Sequence, residues 1–143
     1  MEIIKNRKYL AVNLILFAIL YLSVTFNKEF IRPIYGHSPI IGIITGSFSN
    51  FMAAYIISLF SVAAILAKNI EIKKAKLIFY VISILVFIIL TIEELKPFVS
   101  ASKTYDIYDI LASGLGSFVA ILTYEVFIKK NIKKRNQEND FIK

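Results

Sequence analysis

The residues best suited to chemistry in this chain are acids on either side of one short polar stretch. Glu93 and Glu94 end one apolar run, and Asp106 and Asp109 begin the next. Asp106 and Asp109 are three residues apart, so on a helix they share one face. Lys103 lies between the two acidic pairs and is a candidate counter-charge. Carboxylates in this arrangement suit hydrogen bonding, charge pairing or proton transfer.

Asp109 falls about one turn inside an apolar segment, which is an unfavourable place for a charge. An ionised carboxylate at membrane depth costs about 2.5–3.5 kcal/mol on insertion scales, so it normally faces a partner or water. Arg32 or Lys103 would supply that partner. Alternatively, Asp106 is a helix N-cap and Asp109 a first-turn acid of a capping box, two roles that stabilise a helix without binding a ligand. The spacing leaves both interpretations open.

Other kinds of site have no support in the residue types. The chain has no Cys and a single His, His37, which excludes disulfides, thiolate catalysis and zinc sites built from Cys and His pairs. It also has neither a P-loop nor a dinucleotide-binding glycine pattern. We therefore predict no metal and no cofactor.

The segments that must position these acids have the composition of a membrane protein. Of the 143 residues, 57% are hydrophobic, and the mean hydropathy is +0.69. A water-soluble domain has fewer apolar residues. We predict an all-α bundle of four transmembrane helices in one domain, 1–130, followed by a basic cytoplasmic tail, 131–143. The predicted spans are approximately 9–26, 47–67, 77–92 and 107–128.

The uncharged stretch that contains the predicted second span is too long for one upright crossing. It covers 40–67, and the polar residues of 46–50 offer a natural helix start. We therefore expect 40–45 to lie at the outer interface or to form a short re-entrant segment. The Pro- and Gly-containing stretch 27–38 is expected to interrupt the helix before it.

The basic residues predict the orientation of the chain. Lys and Arg number 17, and in a four-span arrangement 13 of them fall on one side. Short loops with excess Lys and Arg stay in the cytoplasm, so both termini are expected there. Because these residues cluster between apolar runs, the net charge of +7 is assigned to membrane orientation, and we predict no nucleic-acid binding.

Small residues predict how the helices pack. They recur along the second span at Gly42, Gly46, Asn50, Ala54 and Ser58, and along the fourth at Ala112, Ser113, Gly114, Gly116 and Ala120. Such faces let helix backbones approach closely, so we expect these two spans to pack together. Gly and Ala are common in membrane helices, and the alternative is that the pattern arises by chance.

Near the inner end, Glu125 precedes Lys129 by four residues, which favours a structural ion pair.

The stretch 93–120 resembles the VanZ-like family of small bacterial membrane proteins, named for a protein associated with teicoplanin resistance. The family pattern is a Glu that closes a helix, a basic residue, an aromatic–Asp pair, a second Asp, an Asn and a Gly-rich helix. The matching residues here are Glu93 or Glu94, Lys103, Tyr105, Asp106, Asp109 and Gly116. Ser113 stands where the family usually has Asn, Lys103 where it usually has Arg, and Ala120 where it has a later Gly.

The resemblance implies a multi-pass protein of the bacterial cytoplasmic membrane, in contact with the lipid bilayer. We expect an outward-facing polar pocket lined by Glu93, Glu94, Asp106 and Asp109, with Lys103 and Arg32. Its expected ligand is a cell-envelope component: a lipid or peptidoglycan-precursor headgroup, or the target of a glycopeptide antibiotic. The alternatives are a small membrane enzyme acting on a lipid-linked substrate with an Asp as base, and an interaction subunit or minor transporter. Homo-oligomers remain open.

Overall fold

The computed structural model describes residues 2–68, 70–96 and 106–130, without the side chains of 2–8 and 67. This part of the chain forms four long helices and three short helical segments. The elements are α1 (Glu2–Phe26), a π-helical segment (Asn27–Ile31), α2 (Arg32–Tyr35), α3 (Pro39–Ala67), α4 (Ile72–Leu95), α5 (Ile107–Thr123) and a second π-helical segment (Tyr124–Ile128). Four helices are long and apolar enough to cross a membrane. The prediction of an all-α, four-helix membrane protein is confirmed. The predicted tail, 131–143, lies outside the described residues.

The helices extend further than the hydropathy pattern predicted. The first continues without a break through the π-helical segment Asn27–Ile31 into α2, so Pro33 lies within helical backbone and does not end the helix. The expected interfacial or re-entrant segment at 40–45 forms instead the first turns of α3. That helix begins at Pro39 and continues unbroken through the predicted start at 46–50, because one Gly between good hydrophobic helix residues does not end a helix in an apolar environment.

Hydrogen bonds show that α1 and α3 run in opposite directions. The Tyr9 hydroxyl donates to the Leu66 carbonyl (3.1 Å) at one end, and the Asn27 side-chain amide donates to the Thr45 carbonyl (2.7 Å) at the other. Asn27 and Thr45 are both buried. Since a buried amide needs a partner, this bond ties the Asn27 end of the first helix to α3.

Contacts of α5 show that it is parallel to α3 and antiparallel to α4. Gly116 packs against Phe51, and one to two turns later the hydroxyls of Thr123 and Tyr55 are 3.3 Å apart. Along α4 the order is reversed. Gly114 faces Phe87, whereas Glu125, which follows Gly114 in the chain, contacts Tyr80, which precedes Phe87. Direction therefore alternates along the chain, and the two described ends lie at the same end of the bundle.

The bundle is built around α3, which packs against α1, α4 and α5. The contact between α3 and α5 is the most extensive, and α4 completes a three-helix unit with them. The first helix packs chiefly on the other side of α3, and its most apolar stretch has no buried residue. A helix that contributes one narrow face to packing presents most of its surface to lipid.

The distribution of side chains is that of a membrane protein. Large apolar residues are exposed around the bundle, for example Ile40 at 73% and Phe127 at 66%. The buried positions hold several small hydroxyl residues instead, including Ser58, Ser83 and Ser113. Each of these three hydroxyls donates to the carbonyl four residues earlier in its own helix, at 2.7–3.0 Å, and so stays paired where the backbones come together. The buried Ser117 hydroxyl, in contrast, has no partner among the described residues.

The aromatic part of the core lies in the half of the bundle that contains the start of α4 and the end of α5. The rings of Phe79 and Tyr124 stack with their centroids 4.5 Å apart, and both residues are fully buried. Ile65 of α3, Ala75 of α4 and Ala120 of α5 pack around them. This cluster joins the three-helix unit at the end opposite to the acidic residues singled out from the sequence.

Candidate functional site

The acidic residues meet where the end of α4 lies beside the start of α5. The Glu94 carboxylate accepts a hydrogen bond from the Asp106 backbone N–H (2.9 Å), and the Asp106 carboxylate accepts one from the Tyr108 N–H (2.9 Å). Asp106 is therefore the N-cap of α5. Glu94 is unfavourable for the dipole of its own helix, but it is placed at the positive end of α5, which compensates for this cost.

Only half of the predicted capping box is present. In a capping box, the residue three positions after the cap returns a hydrogen bond to the N–H of the cap. Here Glu94, from another helix, accepts that bond in place of Asp109. The Asp109 side chain consequently takes no part in the capping of α5.

Asp109 is half-buried and has an unusual environment for a carboxylate. Its Oδ1 is buried and has no hydrogen-bond partner in the part of the chain that the structure describes. Its backbone carbonyl accepts the Ser113 hydroxyl (3.0 Å), so this residue is held on the face of α5 that packs into the bundle. An unpaired buried carboxylate oxygen is costly, and an added hydrogen-bond donor would relieve that cost.

The structure does not bring every predicted site residue to this place. Glu93 is half-buried in the last turn of α4. Arg32 is exposed on α2, and among the described residues no ion pair joins it to Asp106 or Asp109. Lys103 lies outside the described residues. The described site is thus a group of carboxylates in which Asp109 has free acceptor capacity.

An apolar groove begins beside Asp109 and runs between α3 and α5. It encloses about 460 Å³ and starts at Tyr108, the residue before Asp109. Its walls include Ile44, Phe48 and Phe51 of α3 and Tyr108, Leu111 and Leu115 of α5. Sequence reasoning missed this groove, because it depends on which faces of two helices fail to meet. The groove is suited to an acyl chain, and its lining includes Tyr108 but none of the acids.

The small residues of α5 take different positions around the helix. Ser113, Gly116 and Ala120 are buried, and Gly116 lies directly against Phe51 and Ala54 of α3. Gly114 instead faces α4, where a Cβ would lie 3.4 Å from the Phe87 ring. Ala112 lines the apolar groove.

On α3 the small residues do not form one continuous contact with α5. Ala54 meets Gly116, and Ser58 is buried. Gly42 packs against Gly36 in the turn before α3, and a Cβ on Gly46 would meet nothing within 4 Å. The close approach of α3 and α5 is therefore confined to the middle of the bundle and to the half that contains Glu125. The groove occupies the half that contains Asp109.

A second polar cluster, around Glu125, lies at the opposite end of the bundle from Asp106 and Asp109. Lys129 is 2.7 Å from Glu125 Oε2, Lys76 is 2.9 Å from Oε1, and the Tyr80 hydroxyl donates to Oε1 at 2.7 Å. The pairing of Glu125 with Lys129 agrees with the sequence pattern. Lys76 and Tyr80 were not predicted as partners. Their spacing of four residues at the start of α4 was the available signal, once α4 and α5 were known to be antiparallel.

Among the described residues, no three His, Asp or Glu side chains converge so as to hold a metal ion. Comparison of the chain with protein-family models, with curated proteins and with solved structures found no match. The chemistry of the site therefore rests on its own geometry: a buried carboxylate oxygen without a hydrogen-bond partner among the described residues, on the helix that also lines the apolar groove.

Proposed function

We propose that this chain is a VanZ-like protein of the bacterial cytoplasmic membrane that binds a lipid-linked component of the cell envelope. The polar part of the ligand would contact Asp109, with Glu93, Glu94 and Asp106 nearby, and its hydrocarbon chain would lie in the groove between α3 and α5. The observation that carries the proposal is the buried Oδ1 of Asp109, which has no hydrogen-bond partner among the described residues. The resemblance of 93–120 to the family supports the same residues independently.

The chemistry of the described residues favours particular ligand groups. Carboxylates accept hydrogen bonds, so the group at Asp109 is a donor, such as a sugar hydroxyl, a peptide amide or an ammonium group. Peptidoglycan precursors carried on lipid combine such donors with a long hydrocarbon chain.

The proposal also places the acidic site outside the cell. The alternating helix directions put the acids at the end of the bundle opposite to Lys73, Lys76 and Lys129. Lysine-rich ends are retained in the cytoplasm, which supports cytoplasmic termini and an outward-facing site.

Labelling of single cysteines tests this orientation. The chain contains no Cys, so His37→Cys in the turn before α3 and Lys73→Cys near the start of α4 each give one exposed thiol. In intact cells, an impermeant maleimide is expected to label His37→Cys and to leave Lys73→Cys unmodified. Both variants should react after the cells are permeabilised. Labelling of Lys73→Cys in intact cells would reverse the orientation and contradict the proposal.

Substitution of Asp109 tests the site itself. Wild-type protein in lipid nanodiscs is titrated with a fluorescent lipid-linked peptidoglycan precursor. We expect Asp109→Asn to weaken binding about tenfold, because it replaces a charged acceptor by a neutral one.

Asp106→Asn is the matched control. Asn is as good an N-cap as Asp, so this variant keeps the start of α5 while it also removes one carboxylate charge. We expect its affinity to stay within about threefold of the wild type. Equal affinities for Asp109→Asn and wild type, or an absence of binding to the wild type, would refute the proposed site.

A further inference from the structure

A separate polar crevice lies on the opposite side of α3, between α3 and the first helix. It encloses about 570 Å³. Its polar lining comes from both helices: Tyr21, Thr25, Lys28 and Glu29 on the first, and Ser49 and Asn50 on α3. Neither the acidic site nor the apolar groove shares a residue with it. Polar groups between membrane helices are expensive in lipid unless they have a partner, and this applies to the deeper part of the crevice.

The charged pair of the crevice lies at the level of lipid headgroups. Lys28 is about 30 Å along the helix from Tyr9 at ~1.5 Å per residue, which matches the thickness of the hydrocarbon core. Lys28 and Glu29 belong to the π-helical segment Asn27–Ile31, and π-helical turns are frequent at functional sites. Among the described residues, no ion pair involves either of them. Both side chains are exposed, so a cation and an anion without an ion-pair partner in the described part of the chain lie at this end of the crevice.

The uncharged polar groups lie deeper. Asn27 is opposite Thr45, so Asn50 lies about 7 Å further towards the membrane centre at ~1.5 Å per residue. Ser49 and Asn50 are half-buried, and neither has a side-chain hydrogen bond in the described part of the chain. Below them the walls are apolar and include Phe17 and Leu20.

This order of groups matches the anatomy of a phospholipid. From the surface inwards, a zwitterionic phospholipid presents a phosphate and an ammonium group, then ester carbonyls, then acyl chains. We propose that the crevice binds a phospholipid of the phosphatidylethanolamine class. Lys28 holds the phosphate, Glu29 accepts N–H bonds from the primary ammonium, and Asn50 and Ser49 donate to ester carbonyls. The acyl chain runs along Phe17 and Leu20.

The choice of headgroup follows from Glu29. A primary ammonium donates hydrogen bonds to a carboxylate, whereas the trimethylammonium of phosphatidylcholine has no N–H to donate. Phosphatidylglycerol has no cation for Glu29 at all. The crevice therefore distinguishes lipids that share a phosphate and acyl chains.

Retention of lipid by the purified protein tests the inference. The protein is reconstituted in nanodiscs with equal amounts of phosphatidylethanolamine, phosphatidylcholine and phosphatidylglycerol, and the lipids still bound on release are identified by native mass spectrometry. We expect about fivefold more phosphatidylethanolamine than phosphatidylcholine, an effect of the size of one partly exposed ion pair. Equal retention of the two lipids by the wild type would overturn the proposal without reference to any variant.

Variants assign the effect to the crevice. Glu29→Gln is expected to lower retention of phosphatidylethanolamine to that of phosphatidylcholine, and Lys28→Gln to lower both. The matched controls are Glu71→Gln and Lys74→Gln, which alter an exposed acid and base near the start of α4. These should retain lipid as the wild type does. If Glu71→Gln lost the preference for phosphatidylethanolamine over phosphatidylcholine as completely as Glu29→Gln, the effect would be one of general charge and the site would be refuted.

A soluble headgroup separates a lipid site from a site for a small zwitterion. Excess phosphoethanolamine has no acyl chain and should leave the bound lipid in place. Its displacement of the lipid would show that the apolar wall contributes nothing and would overturn the assignment to a phospholipid.

Discussion

Gly116→Ala is expected to destabilise the folded protein by about 1–3 kcal/mol, the range found for overpacked contacts. A Cβ at Gly116 would overlap the Phe51 carbonyl oxygen and lie 3.0 Å from Ala54 Cβ. The carbonyl belongs to the backbone of α3 and has no rotamer by which to move away. The two helices must therefore separate, which weakens the contacts of Ser113 and Ala120 as well. The free energy of unfolding is measured by titration with SDS in mixed micelles.

Gly46→Ala is the matched control for that measurement. It makes the same chemical change in a helix, but a Cβ there meets nothing within 4 Å. Replacing Gly by Ala in a helix is favourable by about 0.5–1 kcal/mol when no contact is disturbed. We therefore expect Gly46→Ala to unfold at the same or a higher SDS fraction. If Gly116→Ala were as stable as Gly46→Ala, α3 and α5 would not approach at Gly116.

Glu125→Gln is expected to lower the free energy of unfolding by about 1–2 kcal/mol, because one carboxylate serves three hydrogen-bond donors. Lys76, Lys129 and Tyr80 all lie within 2.9 Å of its oxygens. The amide keeps one acceptor oxygen but removes the negative charge between two lysines. The two ammonium groups then repel each other across the contact between α4 and α5. The same SDS titration measures the loss.

Two further variants define the origin of this effect. Glu71→Gln removes an acid whose nearest lysine, Lys74, is 4.0 Å away and exposed, so we expect no measurable change. Tyr80→Phe removes one neutral donor and should cost less than Glu125→Gln, since Glu125 keeps both lysines. A Glu125→Gln protein as stable as Glu71→Gln would mean that this cluster does not hold α4 to α5.

The four helices and their membrane character could be predicted because the bilayer leaves few alternatives. A backbone in lipid has to satisfy its own polar groups, so a long apolar segment becomes a helix whatever its neighbours are. The same reasoning failed at Pro33 and at 40–45, where Pro and Gly were taken as interruptions. Pro33 lies in helical backbone that continues from the π-helical segment, and Gly46 lies within α3, which continues on both sides of it.

The candidate site could be located in sequence but its roles could not be assigned. The acids were recognised by their spacing, and the capping of α5 by Asp106 agrees with one of the two interpretations. Which residue completes the cap depends on where α4 ends in space, and that residue is Glu94 rather than Asp109. The apolar groove and the crevice beside Lys28 were also beyond prediction, since a cavity is a property of faces that do not touch.

By itself, the sequence determined the number of membrane-spanning helices, their approximate limits and the clustering of basic charge, since these follow from local composition in a solvent without water. Only the tertiary structure decided that α3 is central, that α5 runs parallel to it with Gly116 at the close contact, and that the Asp109 Oδ1 is buried without a hydrogen-bond partner in the part of the chain that the structure describes. Those features depend on helix order and rotation. Many arrangements of four apolar helices satisfy the backbone equally well, and the choice among them rests on the fit of particular side chains.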